Sequence, residues 1–123
     1  MKKASNLLIT LCALLAGCST TRLTNLTPGK VPRNPSGIYP FEATWKSKRL
    51  GSDRKVEAFV LVDGNAYAMK PVPGTKERWE AQVPIAADKT AVPYHYKFNF
   101  TYPGAITTHG NSDLSPSYRL HFK

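Results

Sequence analysis

Tyr94-His95-Tyr96-Lys97-Phe98-Asn99-Phe100-Thr101-Tyr102 alternates five aromatic rings with four polar side chains without a break. Successive side chains of an extended chain point to opposite faces, so this spacing puts every ring on one side and every polar group on the other. A helical repeat of 3.6 would scatter the rings around the axis. The stretch therefore predicts a long strand lying over an apolar core, with aromatic cross-strand packing as its main source of stability.

The same two-residue period recurs outward from it. Toward the N-terminus, Tyr39, Phe41, Ala43 and Trp45 alternate with Pro40, Glu42, Thr44 and Lys46. Lys48-Arg49-Leu50-Gly51-Ser52-Asp53 breaks the pattern, and Val56, Ala58, Val60 and Val62 then share one side of a more continuous apolar run. Asp63-Gly64-Asn65 is a hairpin signal leading into a strand over residues 66–72, which Pro71, Pro73 and Gly74 bring to an end. A short strand over residues 79–83 stops at Pro84, residues 104–108 form a continuation or hairpin partner of the aromatic strand, and Tyr118-Arg119-Leu120-His121-Phe122 supplies the last strand. Residues 85–89, between Pro84 and Pro93, are the one helix-friendly stretch after the leader. Strands at this spacing predict an all-β fold, a single antiparallel immunoglobulin-like β-sandwich of about seven strands, with a small barrel as the alternative.

The beginning of the chain reads differently. Lys2 and Lys3 precede an apolar core over residues 7–16, the layout of an export signal, and that core is shorter than the roughly 20 residues a membrane-spanning helix needs. Leu15-Ala16-Gly17-Cys18 follows, and it resembles the lipobox of bacterial lipoproteins. The resemblance implies transfer of a diacylglyceryl group to the Cys18 thiol, cleavage after Gly17, and acylation of the new Cys18 amine. With about 0.8 kcal/mol per buried CH₂, two or three chains anchor stably where one does not. Palmitate is an expected acyl donor. Ser19, in place of the Asp that marks inner-membrane retention in many Gram-negative bacteria, implies sorting to the outer membrane in a cell that has one.

Three segments result: a lipoprotein signal peptide (1–17), a lipidated N-terminus and flexible tether (18–36), and the β-sandwich domain (37–123). The tether assignment rests on hydroxyls and prolines between Ser19 and Ser36, although Leu23, Leu26 and Val31 would let its C-terminal part pack as a first edge strand. Cys12 leaves with the signal and Cys18 is blocked as a thioether, so the mature chain is expected to fold without a disulfide. The whole chain carries a net charge of +9, and loss of Lys2 and Lys3 leaves 15 basic against 8 acidic side chains. That excess favours anionic partners or the membrane surface, while the export signal argues against nucleic acid.

The order Val60-Leu61-Val62-Asp63-Gly64-Asn65, then Ala68-Met69, Arg78-Trp79-Glu80-Ala81-Gln82-Val83-Pro84 and Tyr94-His95-Tyr96-Lys97-Phe98 resembles the early-set immunoglobulin-like domains that include glycogen- and starch-binding modules. The resemblance covers about 40 residues, the span a hairpin and two core strands need. It implies the sandwich fold and, for a sugar-binding member, exposed paired tryptophans. Trp45 and Trp79 alternate with polar neighbours as core residues do.

Candidate sites are few. No serine sits in a nucleophile-elbow pattern, and Glu42, Asp53, Glu57, Asp63, Glu77, Glu80, Asp88 and Asp113 make no dense acidic pair, which reads as solvated surface acids. The chain is therefore expected not to be an enzyme and to need no cofactor. Lys46, Lys48, Arg49, Arg54 and Lys55 form one basic patch suited to an anionic partner. His95, Lys97, Arg119 and His121 form a second possible binding face on neighbouring strands, too cationic to hold a metal ion. The resulting expectation is a membrane-anchored envelope lipoprotein whose sandwich acts as a structural or protein-interaction module, using an exposed strand edge near residues 114–122. The alternative is a glycan-binding module of the envelope, with a glycan or anionic polymer as partner, which requires two aromatic rings displayed on the solvent side of one sheet.

Overall fold

A computed structural model describes residues 23–46 and 55–123. The leader with its lipobox, and Lys48, Arg49 and Arg54 of the first basic patch, lie outside the described residues.

The described chain is all β and folds as a curled, sandwich-like sheet. Its strands are β1 (Leu23–Asn25), β2 (Lys30–Val31), β3 (Ile38–Trp45), β4 (Lys55–Val62), β5 (Asn65–Pro71), β6 (Arg78–Pro84), β7 (Ala91–Pro103), β8 (Thr108–Leu114) and β9 (Tyr118–Phe122). One layer runs β1-β3-β6 and the other runs β2-β9-β7-β4, with β8 also paired to β7. Strand β5 joins the layers: residues 65–69 pair with β4, and Lys70 and Pro71 pair with Glu80 and Trp79 of β6. All pairings are antiparallel except β2 with β9, which is parallel, so the expectation of a purely antiparallel sandwich is corrected at that edge.

The periodicities explain this arrangement. Along β3 the inward set Tyr39, Phe41, Ala43 and Trp45 is buried, and along β7 Val92, Tyr94, Tyr96, Phe98 and Phe100 are buried. The two sets meet between the layers, where Trp45 stacks on Phe98 with centroids 5.4 Å apart and Phe41 meets Tyr94 edge-on at 4.9 Å. Offset and edge-on contacts of this kind suit the ring quadrupoles. Trp79 lies half-buried against the same cluster, edge-on to Phe98 at 5.8 Å. Asp63 (φ 50) and Gly64 (φ 84) make the two-residue turn between β4 and β5, both in the left-handed region that matches strand twist in tight hairpins.

The packing allowed for residues 23–31 as a first edge takes the form of two short strands: β1 pairs with β3 (Leu23 opposite Trp45), β2 pairs with β9, and Leu23 is buried. The folded unit thus includes residues 23–36 as well as 37–123. Its first strands extend the edges formed by β3 and β9, one per layer, with residues 26–29 crossing between them. Residues 104–107 are the tip of a hairpin, and its second strand is β8, which has almost no apolar residues to announce it. Residues 85–89 form turns, with Lys89 N–H donating to the Ala86 carbonyl at 3.2 Å.

Candidate functional site

Among the described residues, strand β8 is held to the sandwich along one side only. Its register with β7 runs from Lys97 opposite Leu114 to Pro103 opposite Thr108. Ser115 N–H donates to the Tyr96 carbonyl at 3.0 Å. Bonded and non-bonded pairs alternate along an antiparallel ladder, so Asp113, Asn111 and His109 continue the bonding to β7. Thr108, Gly110, Ser112 and Leu114 therefore direct their peptide N–H and C=O groups away from β7. Among the described residues no strand pairs with that outer edge, because β2 covers β9 and stops there.

Two features keep this edge in place. Asp113 points inward, and its Oδ2 accepts the indole N–H of Trp45 at 2.7 Å, tying β8 to β3 across the sandwich. The expectation of Asp113 as a solvated surface acid is thereby corrected. Ser115 Oγ accepts Tyr96 N–H at 2.8 Å, and Ser112 N–H takes the adjacent Asn111 Oδ1 at 2.8 Å. Leu114, 65% exposed, stands on the outer face in one row with Lys97 of β7, Phe59 of β4 and Ala68 of β5. Leu61, half-buried, lies two register pairs from Phe59 on the same face, beside His95. Ala68, Phe59 and Leu114 thus share a row across the outer face, which Lys97 interrupts before the open edge.

The second proposed face does not form a single patch. Ala91 is opposite His121 and Pro93 is opposite Arg119. His95 therefore lies four positions along β7 from the register of His121, about 13 Å away at strand rise. His95 and Lys97 sit half-buried in the middle of the layer, whereas Arg119 and His121 are exposed near β2. No three of His, Cys, Asp or Glu come together in a metal-holding group among the described residues. Of the first basic patch, Lys46 and Lys55 are described and exposed, and Lys46 Nζ lies 3.9 Å from Glu77 Oε2.

A polar cluster that the sequence did not announce lies where β1 leads toward β2. Tyr96 Oη is 2.7 Å from Asn25 Oδ1, 2.8 Å from Thr27 Oγ1 and 2.9 Å from the Glu42 carbonyl. Asn25 Nδ2 donates to Tyr94 Oη at 2.9 Å, and Glu42 N–H donates to Thr27 Oγ1 at 3.0 Å. Burial pushes both phenols above the ordinary tyrosine value, Tyr96 the more strongly, because a phenolate loses its hydration there. The cluster is satisfied internally and serves the fold.

The remaining concavities are shallow. One of about 190 Å³ between the β4–β5 turn and residues 84–86 is bordered by Asp63 and Lys89, which pair at 3.2 Å. Another of about 360 Å³ opens beside Phe59, Met69 and Trp79. Neither gathers a nucleophile with a base. Comparison of the chain with protein-family models, with curated proteins and with solved structures finds no match.

Proposed function

We propose that this chain is an envelope lipoprotein, anchored through Cys18 after removal of residues 1–17, and that its sandwich is a structural or protein-interaction module. The outer edge of β8 receives an extended segment of an envelope protein. The observation that carries this reading is the open edge itself: four residues turn their peptide groups outward beside the exposed Leu114. Strand addition supplies affinity through the backbone and selectivity through alternate side chains. The inward Asp113 and polar β8 sequence discourage indiscriminate edge pairing. In a cell with two membranes, Ser19 supports placement at the outer one.

The glycan alternative has less support. A sugar platform needs at least two displayed rings, and Phe59 is the one ring turned to the outer face among the described residues.

The test is affinity capture of the lipidated protein from detergent-solubilised envelopes, comparing the wild type with Cys18→Ser, Ser112→Pro and Leu114→Asp. Proline at 112 removes an outward N–H that Asn111 Oδ1 now holds, together with the Ser112 hydroxyl bond to Asn99, and leaves the backbone ladder to β7 in place. The expected result is a partner recovered with wild type and lost with both β8 variants. Equal recovery with all β8 variants, or none above the Cys18→Ser control, would sink the proposal.

A further inference from the structure

We propose that one end of the sandwich rests on the lipid surface that holds the anchor, with the β7–β8 hairpin tip entering the headgroup region. The proposal rests on the lipid-anchor reading above. Three independent placements support it.

The first is where the chain enters the fold. Leu23 is opposite Trp45, at the C-terminal end of β3, and β1 runs antiparallel to β3. The N-terminal chain therefore arrives at the end of the sandwich that carries Lys46, Lys55 and the β7–β8 hairpin. Cys18 precedes Leu23 by five positions, a reach of at most about 18 Å even when fully extended. With β1 and β2 built into the sheet, no long spacer remains between Cys18 and the domain.

The second is the hairpin. Its ladder continues past the last β4 pair, Lys55 with Thr101, through Tyr102 opposite His109 and Pro103 opposite Thr108. Ile106 at its tip is 96% exposed, the most exposed large apolar residue among those described. Gly104 N–H donates to the Thr107 carbonyl at 2.8 Å, so the turn holds the isoleucine at the apex. Placed at a bilayer, this protruding side chain gains burial among acyl chains that water does not give it.

The third is charge. Lys46, Lys55 and Lys76 are exposed at this same end. The acidic neighbours are Glu57, exposed two positions from Lys55 on β4, and Glu77, whose 3.9 Å approach to Lys46 is a surface pair of little strength. Arg78 is engaged by Glu42. Anionic headgroups attract such lysines over about a Debye length, roughly 10 Å, and the short linker keeps this end close enough to the surface to sample that range.

The experiment uses lipidated protein purified from its host and reconstituted in vesicles of phosphatidylethanolamine and phosphatidylglycerol. In that form the thiol of Ile106→Cys is free for a polarity-sensitive fluorophore, since Cys12 has been removed and Cys18 is a thioether. Ala87→Cys, an exposed position at the opposite end, is the control. The expected result is a blue-shifted emission at 106, quenched by brominated acyl chains and protected from aqueous iodide, with none of this at 87. The shift should shrink in phosphatidylcholine vesicles and in a Lys46→Glu, Lys55→Glu, Lys76→Glu background. An unshifted label at 106 in protein that incorporates labelled palmitate overturns the docking and leaves the anchor standing. Equal shifts at 106 and 87, or a shift at 106 without lipid, also overturn it, the latter by pointing to a second copy. Absence of palmitate incorporation removes the anchor reading and this proposal with it.

Discussion

The phenolic oxygen of Tyr96 lies 2.7 Å from Asn25 Oδ1, joining the middle of the aromatic strand β7 to β1 across 71 positions of sequence. Tyr96 has no exposed surface, so this contact is made where water cannot substitute for it. It converts a polar N-terminal segment into the closing edge of the sandwich.

Removing either partner leaves a polar atom without its hydrogen bond in that interior. Tyr96→Phe and Asn25→Ala are each expected to destabilise the fold by about 1–3 kcal/mol, read as a lower urea midpoint at unchanged slope. Because the two act on one bond, the double variant should lose less than the combined single losses. Full additivity would mean that the contact carries no energy of its own.

Stability should fall in alkali. Tyr96 and Tyr94 hold their protons above the ordinary tyrosine value in the fold, so their contribution is complete below about pH 10 and is lost as pH rises toward the native values. The unfolded chain releases protons first, and the slope approaches about 1.4 kcal/mol per pH unit for each such group. Thermal melts from pH 8 to pH 12 should show Tm dropping beyond pH 10, and less steeply in Tyr96→Phe.

The β4–β5 turn places Gly64 at φ 84 with open space around it, so an added methyl group meets no clash but does meet the left-handed penalty. Gly64→Ala should cost about 1–2 kcal/mol. Asp63→Asn should be close to neutral, because asparagine accepts the same region readily. Urea denaturation of both variants checks the ordering.

Asp113→Ala removes the carboxylate that accepts the Trp45 indole N–H. The expected loss is about 1–3 kcal/mol. The loosening should concentrate on β8, whose amides should exchange with solvent faster than those of β4 or β6. Uniform acceleration over all strands would argue that the bond stabilises the whole sandwich and not its edge.

The parts of the fold legible in advance were those written in alternating apolar residues. The rings of β7, the Tyr39-to-Trp45 set of β3 and the Asp63-Gly64 turn each carry a local signal, since burial of one face and a positive φ both act within a few residues. β8 escaped notice because Thr-His-Gly-Asn-Ser-Asp-Leu has no buried apolar face, and only its register with β7 makes it a strand. The exposed edge expected near residues 114–122 therefore lies one strand earlier, on β8, because β2 pairs with the end of β9. The basic pair His95 and His121 shared a face on paper, but a register offset of four residues separates them.

By itself the amino-acid order determined that this is a β protein, which residues face its core, and that Cys18 stands in a lipobox-like setting. The tertiary structure alone decided which strands residues 23–31 pair with, that Asp113 turns inward, and that β8 ends one layer among the described residues. Side-chain alternation is a property of neighbours in sequence, whereas the pairing of an edge depends on hydrogen bonds to strands dozens of residues away. Those bonds form with nearly any side chain, and so leave almost no trace in the sequence.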